Sequence, residues 1–321
     1  MFETFLSEVL KLAPRQIWGV EQQIYYLTQI FTSFSPKKII ASFLAIIELF
    51  GLTIFDMPTT PRGQELDLTG YNIVFEDNFD GTELDTEAWK YCNSGVRRGG
   101  YRAPSQVEVK DGNCVITAEY LEDGEFGAGW YAGDLALRKW YKQGYYEIRC
   151  KVNDGGGFWS AFWIQAAHPY EAQYSQGGVG GAELDIFEAN CWDDPMSRDA
   201  VSQTIHCAGV DGVQEGFQSY ILGFFKGKNI YDEYNTYGLE WTEDEYIFYH
   251  NGVETVRTSF GNGVCEVPCS VILSFAGPNT SKSWQVAGFK KLPKDRTPTF
   301  TIDYVRIYQL DQETAEAIAN K

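Results

Sequence analysis

Gly177–Cys191 reads GGVGGAELDIFEANC, and three carboxylates fall within it: Glu183, Asp185 and Glu188. Leu184, Ile186 and Phe187 lie between them, so the run has the character of a buried strand with acids on one face. Alternate strand residues share a face, which puts Glu183 and Asp185 together. Glu188 has the opposite parity. One extra residue, taken up as a β-bulge near Ile186 and Phe187, turns it back to join the other two. Like charges this close resist joint ionisation, so one carboxyl is expected to hold its proton while another stays ionised. Glycoside hydrolysis needs that division of labour. The competing reading is an acidic strand that faces solvent or binds calcium. The glycines before the strand, Gly177 to Gly181, allow close backbone passage or a cleft rim.

Outward from this strand the sequence keeps one style. Short apolar runs alternate with Gly, Asp and Asn turns: IVFEDNF (73–79), VEVKDGNCVITAEY (107–120), GYYEIRCKVN (144–153), EYIFYHNGVET (245–255) and VPCSVILSFAG (267–277). That spacing predicts an all-β sandwich or barrel, whose edges must be hidden. His250-Asn251-Gly252 predicts a two-residue hairpin turn. In 144–151, Tyr145, Glu147 and Arg149 alternate with Tyr146, Ile148 and Cys150, which predicts one wet or functional face. Glu240 and Trp241 read as sheet residues.

Several segments together carry a family resemblance. The acid strand resembles the active-site strand of glycoside hydrolase family 16 in its laminarinase-like branch, with Glu183, Asp185 and Glu188 matching E-x-D-x-x-E. GGGFWSAFW (155–163) resembles the family's Gly-x-Trp-Pro-Ala-x-Trp, with Ser160 where proline is usual. TIH (204–206), YNTYGLEWT (234–242) and FTIDYVRIY (300–308) follow in the family's order. The likeness runs from about Ile73 to Tyr308. It implies an all-β jelly-roll sandwich, concanavalin-like, with an open cleft over residues 64–310. It also implies endo-acting hydrolysis of a β-glycosidic bond with retention, on a polysaccharide of the β-1,3- or β-1,3/1,4-glucan type. By position Glu183 is the nucleophile, Glu188 the acid/base, and Asp185 their hydrogen-bonding companion. The step of three residues to Glu188 separates the chain from lichenase-type members, which use E-x-D-x-E. A β-galactanase of the agarase or carrageenase kind and a transglycosylase are rivals on the same fold. A non-catalytic lectin is the rival from another class, and it needs neither glutamate.

For substrate binding, Trp159 and Trp163 share strand parity and match family positions, so either is a candidate sugar platform. His206 matches a family position and can hydrogen-bond a sugar hydroxyl. Trp130 and Trp192 are candidates for their size and their place near loops. The resemblance also brings a structural calcium on the convex face, held by carbonyls of Asn78 and Gly112 and by the carbonyl and carboxylate of Asp303; such oxygen ligands suit that ion. No organic cofactor is implied, since no redox, nucleotide or phosphate motif occurs. Two departures from the family touch the subsites. The tryptophan usual just before the first glutamate is missing, and SFAGPNTSKSW (274–284) replaces a Gly-Gly-x-Trp-like segment.

The 321 residues suffice for one large β domain and something smaller. A formal net charge of −18 excludes nucleic acid as an expected partner and favours a neutral glycan, unless a local basic patch overrides it. Aromatic side chains make up 16% of the chain, enough to serve both a sandwich core and sugar-stacking faces. The seven cysteines are odd in number and lack zinc-site spacing; Cys114 and Cys150 read as small core residues.

Residues 1–63 lie outside the family pattern and read as helical. Phe2, Phe5, Leu6, Val9 and Leu10 recur at helical spacing. Residues 39–55 form an apolar stretch after Lys37 and Lys38, at the lower limit for a bilayer span and interrupted by Glu48. Three readings stay open: a membrane anchor or unusual export signal, helices packed on the catalytic domain or a partner, and a start assigned too early. Met57–Gly63 reads as a linker, and 311–321 as a polar tail. The expected setting is extracellular or at the cell surface, and the expected state a monomer.

Overall fold

The computed structural model describes residues 60–153, 157–189, 200–227, 229–277 and 292–311. The expected N-terminal helices, the 39–55 stretch, Trp192 and most of the tail lie outside these residues. In chain order the strands are β1 (Tyr71–Asp77), β2 (Trp89–Tyr91), β3 (Gly95–Arg97), β4 (Gly100–Arg102), β5 (Val107–Lys110) and β6 (Asn113–Thr117). Then come β7 (Glu119–Leu121), β8 (Gly129–Ala132), β9 (Asp134–Leu137), β10 (Gly144–Lys151), β11 (Trp159–Gln165), β12 (Glu183–Ala189) and β13 (Ala200–Ala208). The rest are β14 (Phe217–Lys226), β15 (Asn235–Trp241), β16 (Tyr246–His250), β17 (Val253–Thr258), β18 (Ser270–Ala276) and β19 (Thr299–Leu310). One short helix, α1 (Ala172–Ser175), sits in the loop before β12.

The chain is all-β, as its turn spacing predicts, and has the jelly-roll architecture that the family resemblance implies. An inner sheet runs β14-β13-β12-β11-β18-β9-β2, and an outer sheet runs β17-β16-β15-β10-β19-β6-β5, with β1 on β19. A small third sheet, β3-β4-β8-β7, stands beside the inner one. The acid strand β12 therefore lies inside its sheet, between β11 and β13, where both rows of backbone hydrogen bonds fix its register.

The core lies between the two large sheets. Phe162, Ile164, Leu184, Ile186 and Phe187 of the inner sheet are buried in one cluster with Ile148, Tyr237, Leu239, Ile302 and Val305 of the outer. Phe187 bridges the layers, its ring centroid 4.3 Å from that of Tyr237 and 6.0 Å from that of Phe300. Cys114 and Cys150 fill core positions as expected. The hairpin β16–β17 turns through Asn251 and Gly252, both at positive φ, the backbone that an Asn-Gly pair tolerates.

One expectation for the outer sheet fails. Tyr145 and Glu147 do not face water: they are 1% and 9% exposed. Leu66, Leu68 and Tyr71 pack with Tyr145, Ile247 and Tyr249 as a second apolar cluster on that face. The Glu147 carboxylate accepts hydrogen bonds from the Tyr145 and Tyr304 hydroxyls, each at 2.8 Å. Alternation correctly separated the two faces of β10. It could not show that residues 60–70 cover the outer one. That strap is anchored on β17 through Gly63 N to Glu254 O (3.0 Å) and Leu66 N to Gly252 O (2.8 Å).

Because Phe187 spans both sheets, Phe187→Ala is expected to destabilise the domain by about 3–5 kcal/mol, measured by urea unfolding at equilibrium.

Candidate active site

The register of β12 contains the expected bulge. Against β11, Phe187 pairs with Phe162 and Asp185 with Trp163, so Ile186 has no opposite number. Against β13, Asp185 pairs with Thr204 and Glu188 with Ser202, so two residues of β12 face Gln203 alone. Ile186 and Phe187 are both fully buried in the core. The strand thus sends two consecutive apolar side chains inward, and the following acid returns to the cleft face.

Pairing then fixes the site's other members, since directly opposed residues share a face. Gln165 and His206 flank Glu183, Trp163 and Thr204 flank Asp185, and Ala161 and Ser202 flank Glu188. These acids, with Trp159, Trp163, Gln165, Tyr170, Ser274 and the arginines 97, 98 and 102, line a pocket of about 390 Å3.

Each carboxylate has its own surroundings. The Glu183 Oε2 atom accepts hydrogen bonds from the Tyr170 hydroxyl and the Gln165 amide, and its Oε1 lies 3.8 Å from His206 Nε2. Asp185 Oδ2 is 3.0 Å from His206 Nε2, and the Nδ1 of that ring meets Ser219 Oγ at 2.7 Å. Thr204 Oγ1 approaches Glu188 Oε2 at 3.4 Å.

The electrostatics follow from this geometry. Burial, then the Asp185 charge, push Glu183 up to about 7, while His206, Tyr170 and Gln165 pull it down. Burial and the charges of Asp185 and Glu183 push Glu188 up to about 8 against the pull of His206 and Arg98. Burial opposes a charge on His206, yet its contact with Asp185 and the charges of Glu183 and Glu188 outweigh that and raise it to about 9. Near neutral pH the site can hold an ionised Glu183, a protonated Glu188 and a His206 cation that tempers the acids around it.

The other expected residues divide. Trp163 lines the pocket, its indole N–H donating to Ser274 Oγ at 3.1 Å. Trp159 lines it too, but the Arg98 guanidinium lies 3.9 Å from its ring centre and covers one face. Trp130 is not a cleft residue: it is 7% exposed and packs edge-on against Tyr120 and Phe158. Its ring fills the gap between the small sheet and the core.

Of the three positions expected to hold calcium, Asp303 is the one expected to offer its carboxylate, and that group is engaged. The Asp303 carboxylate holds the Arg149 guanidinium, and the Asn78 side-chain oxygen accepts from Arg306 Nη2 at 3.2 Å. A divalent cation there would compete with one arginine for Asp303 and lie close to another. Gly112, at φ 68°, serves the turn between β5 and β6.

Sequence reading missed Gln165, Tyr170 and the arginines. Gln165 shares the parity of Trp159 and Trp163, so parity alone could have found it. Arg98 sits in the β3–β4 hairpin turn at φ 52°, and Tyr170 on the loop before α1; no periodicity marks either.

Comparison with known proteins shows the family and the fold. The chain belongs to glycoside hydrolase family 16: the family model described as the β-porphyranase A–D GH16 domain matches residues 72–310. Glucan endo-1,3-beta-glucosidase A1 of Niallia circulans is 24% identical over 284 residues, which are 78% of this chain and 39% of that protein. A keratan-sulfate endo-1,4-beta-galactosidase of Sphingobacterium multivorum is 24% identical over 254 residues, 75% of this chain and 56% of that protein. The chain therefore spans between two fifths and three fifths of the length of these relatives. Among solved structures, SCLam, a non-specific endo-β-1,3(4)-glucanase, superposes with a TM-score of 0.60 at 23% identity, covering 79% of this chain and 97% of that one.

A reaction that uses Glu183 as nucleophile and Glu188 as acid requires Glu183 ionised and Glu188 protonated. The rate is therefore expected to fall below about 7 as Glu183 takes up a proton, and above about 8 as Glu188 loses its own. A pH–rate profile of kcat/KM checks both limbs. Addition of EDTA is expected to leave the melting temperature unchanged, since Asp303 is already paired with Arg149.

Proposed function

We propose that this chain is an endo-acting retaining β-glycoside hydrolase that cleaves a polysaccharide by double displacement, with a β-1,3- or β-1,3/1,4-glucan as its first-choice substrate. The observation that carries the reading is the bulge at Ile186, which brings Glu183 and Glu188 to one wall of a cleft and leaves them in different environments. In the first step Glu183 attacks the anomeric carbon while Glu188 protonates the departing oxygen. Esterification removes the Glu183 charge. The Glu188 pKa then falls, and Glu188 accepts a proton from the water that releases the sugar. Asp185 and His206 lie beside the nucleophile with opposed effects: the Asp185 charge favours its protonated form, and the His206 cation favours its ionised form. The named activities of the relatives, endo-1,3-β-glucosidase and keratan-sulfate endo-1,4-β-galactosidase, fall within this reaction class. A polymer too large to enter a cell fits an enzyme that works outside it or at its surface.

One observation favours a second reading, a β-galactan bearing anionic groups. Arg97, Arg98 and Arg102 line one side of the pocket, where Asp134 pairs with two of them: Arg102 Nη1 lies 3.0 Å from Asp134 Oδ2 and Arg97 Nε 3.6 Å. This is a local basic patch in an acidic chain, and a guanidinium fork suits sulfate or carboxylate. The matched family model is named for β-porphyranase, and the Sphingobacterium relative for a keratan-sulfate endo-1,4-β-galactosidase, whose named substrate is sulfated.

The full chain should be incubated with laminarin, lichenan, agarose, carrageenan, porphyran and keratan sulfate, with products sized by mass spectrometry. Internal cleavage of a glucan supports the first reading. Cleavage confined to the sulfated galactans supports the second, and binding without cleavage means a lectin. Proton NMR of the first product is expected to show the β anomer. Glu188→Gln is expected to lower kcat roughly 10²–10⁴-fold on the substrate so found.

A further inference from the structure

Two groups that the cleavage scheme leaves idle converge on the nucleophile. Gln165 ends β11 on the cleft face, opposite Glu183. Tyr170 reaches in from the loop before α1. Both donate to the same carboxylate oxygen, Glu183 Oε2, and the Gln165 Nε2 also lies 2.9 Å from the Tyr170 hydroxyl, so the three groups close a triangle. Among the described residues, the other oxygen, Oε1, is approached by His206 Nε2 at 3.8 Å, beyond hydrogen-bond reach. The Tyr170 ring is 42% exposed and rests on Phe217, centroid to centroid 5.0 Å, which fixes its tilt from the solvent side.

We infer that Tyr170 and Gln165 are positioning residues that clamp Glu183 by Oε2 and present Oε1 to the anomeric carbon. This rests on the glycosidase reading above. In the first step Oε1 forms the new bond to carbon, and the glycosidic C–O bond breaks. Its electron pair leaves on the oxygen that takes the Glu188 proton. Oε2 then becomes the carbonyl oxygen of the glycosyl ester, still facing its two donors. When water attacks the anomeric carbon, the pair in the C–Oε1 bond returns to the carboxylate, and Glu188 takes the proton of the water. The clamp thus holds the nucleophile in one rotamer through both steps, which limits the reorientation lost to each attack.

The clamp also acts on charge. Donors to a carboxylate favour its ionised form, so removal of one raises the affinity of Glu183 for a proton. Asp185 and Glu188 on the same strand and His206 on β13 also face Glu183, and each stays in place when Tyr170 loses only its hydroxyl.

The test is a pH titration of 13C-labelled glutamate carboxyls by NMR on the full chain, with Glu183→Gln used to assign the Glu183 signal. In Tyr170→Phe the Glu183 titration is expected to move upward by roughly one unit. Gln165→Leu moves it the same way. Tyr174→Phe, in α1 with its ring against His168 and outside the pocket lining, is the control and leaves it in place. On whichever polysaccharide the wild type cleaves, Tyr170→Phe is expected to lower kcat about tenfold, leave KM within about twofold, and carry the acid limb of the profile to higher pH. A Glu183 titration identical in wild type and Tyr170→Phe, with circular dichroism unchanged, overturns the clamp. If the wild type cleaves none of the polysaccharides, the glycosidase reading falls, while the titration still decides whether the clamp exists.

Discussion

The site depends on where one benzene ring goes. Phe187 is buried between the sheets, against Tyr237 and Phe300, and so is its neighbour Ile186. Two consecutive inward side chains cannot occur in a regular strand, so the backbone must bulge. Burial of an aromatic ring outweighs the ladder hydrogen bonds disturbed at one position. Glu188 faces the cleft because Phe187 faces the core. Parity adds a comparison: a strand lacking Ile186 would again alternate regularly, with Glu183, Asp185 and Glu188 on one face. The inserted residue therefore lets the strand carry an additional core side chain while the acids keep their side of the sheet.

The second constraint is the company each acid keeps. Three carboxylates within one pocket would repel one another, yet a single histidine sits against two of them and takes a positive charge in response. Because strand neighbours face the same way, the same hydrogen-bonded pairing that builds the sheet also delivers His206 to Glu183 and Thr204 to Asp185. The catalytic environment is thus assembled by backbone register, with loops adding Tyr170 and Arg98 from either side.

How much of this was legible in the sequence follows from what sequence can encode. Strand periodicity and turn residues carried the sandwich, and the parity mismatch at Glu188 carried the bulge. His206 came from a family position, and Trp163 from a family position together with its parity with Trp159. Tryptophan size alone misled at Trp130, since a large ring near a loop fills a core as readily as it lines a cleft. The wet face expected for Tyr145 and Glu147 failed because the covering residues lie about 80 positions earlier, and alternation within one strand says nothing about distant chain laid over it. Tyr170 and Arg98 were invisible for the same reason: each reaches the site from a turn or loop, by a path that only the folded backbone defines. The calcium expectation met a charge partner, Arg149, that belongs to a neighbouring strand.

The strap from Gly63 to Leu68 runs along the hairpin edge of the outer sheet, and the apolar cluster it completes is on the side of the sandwich away from the acids. The polypeptide therefore enters its catalytic body from the back. The described chain thus joins the sandwich on one face and leaves the other, with its acids, free of that strap.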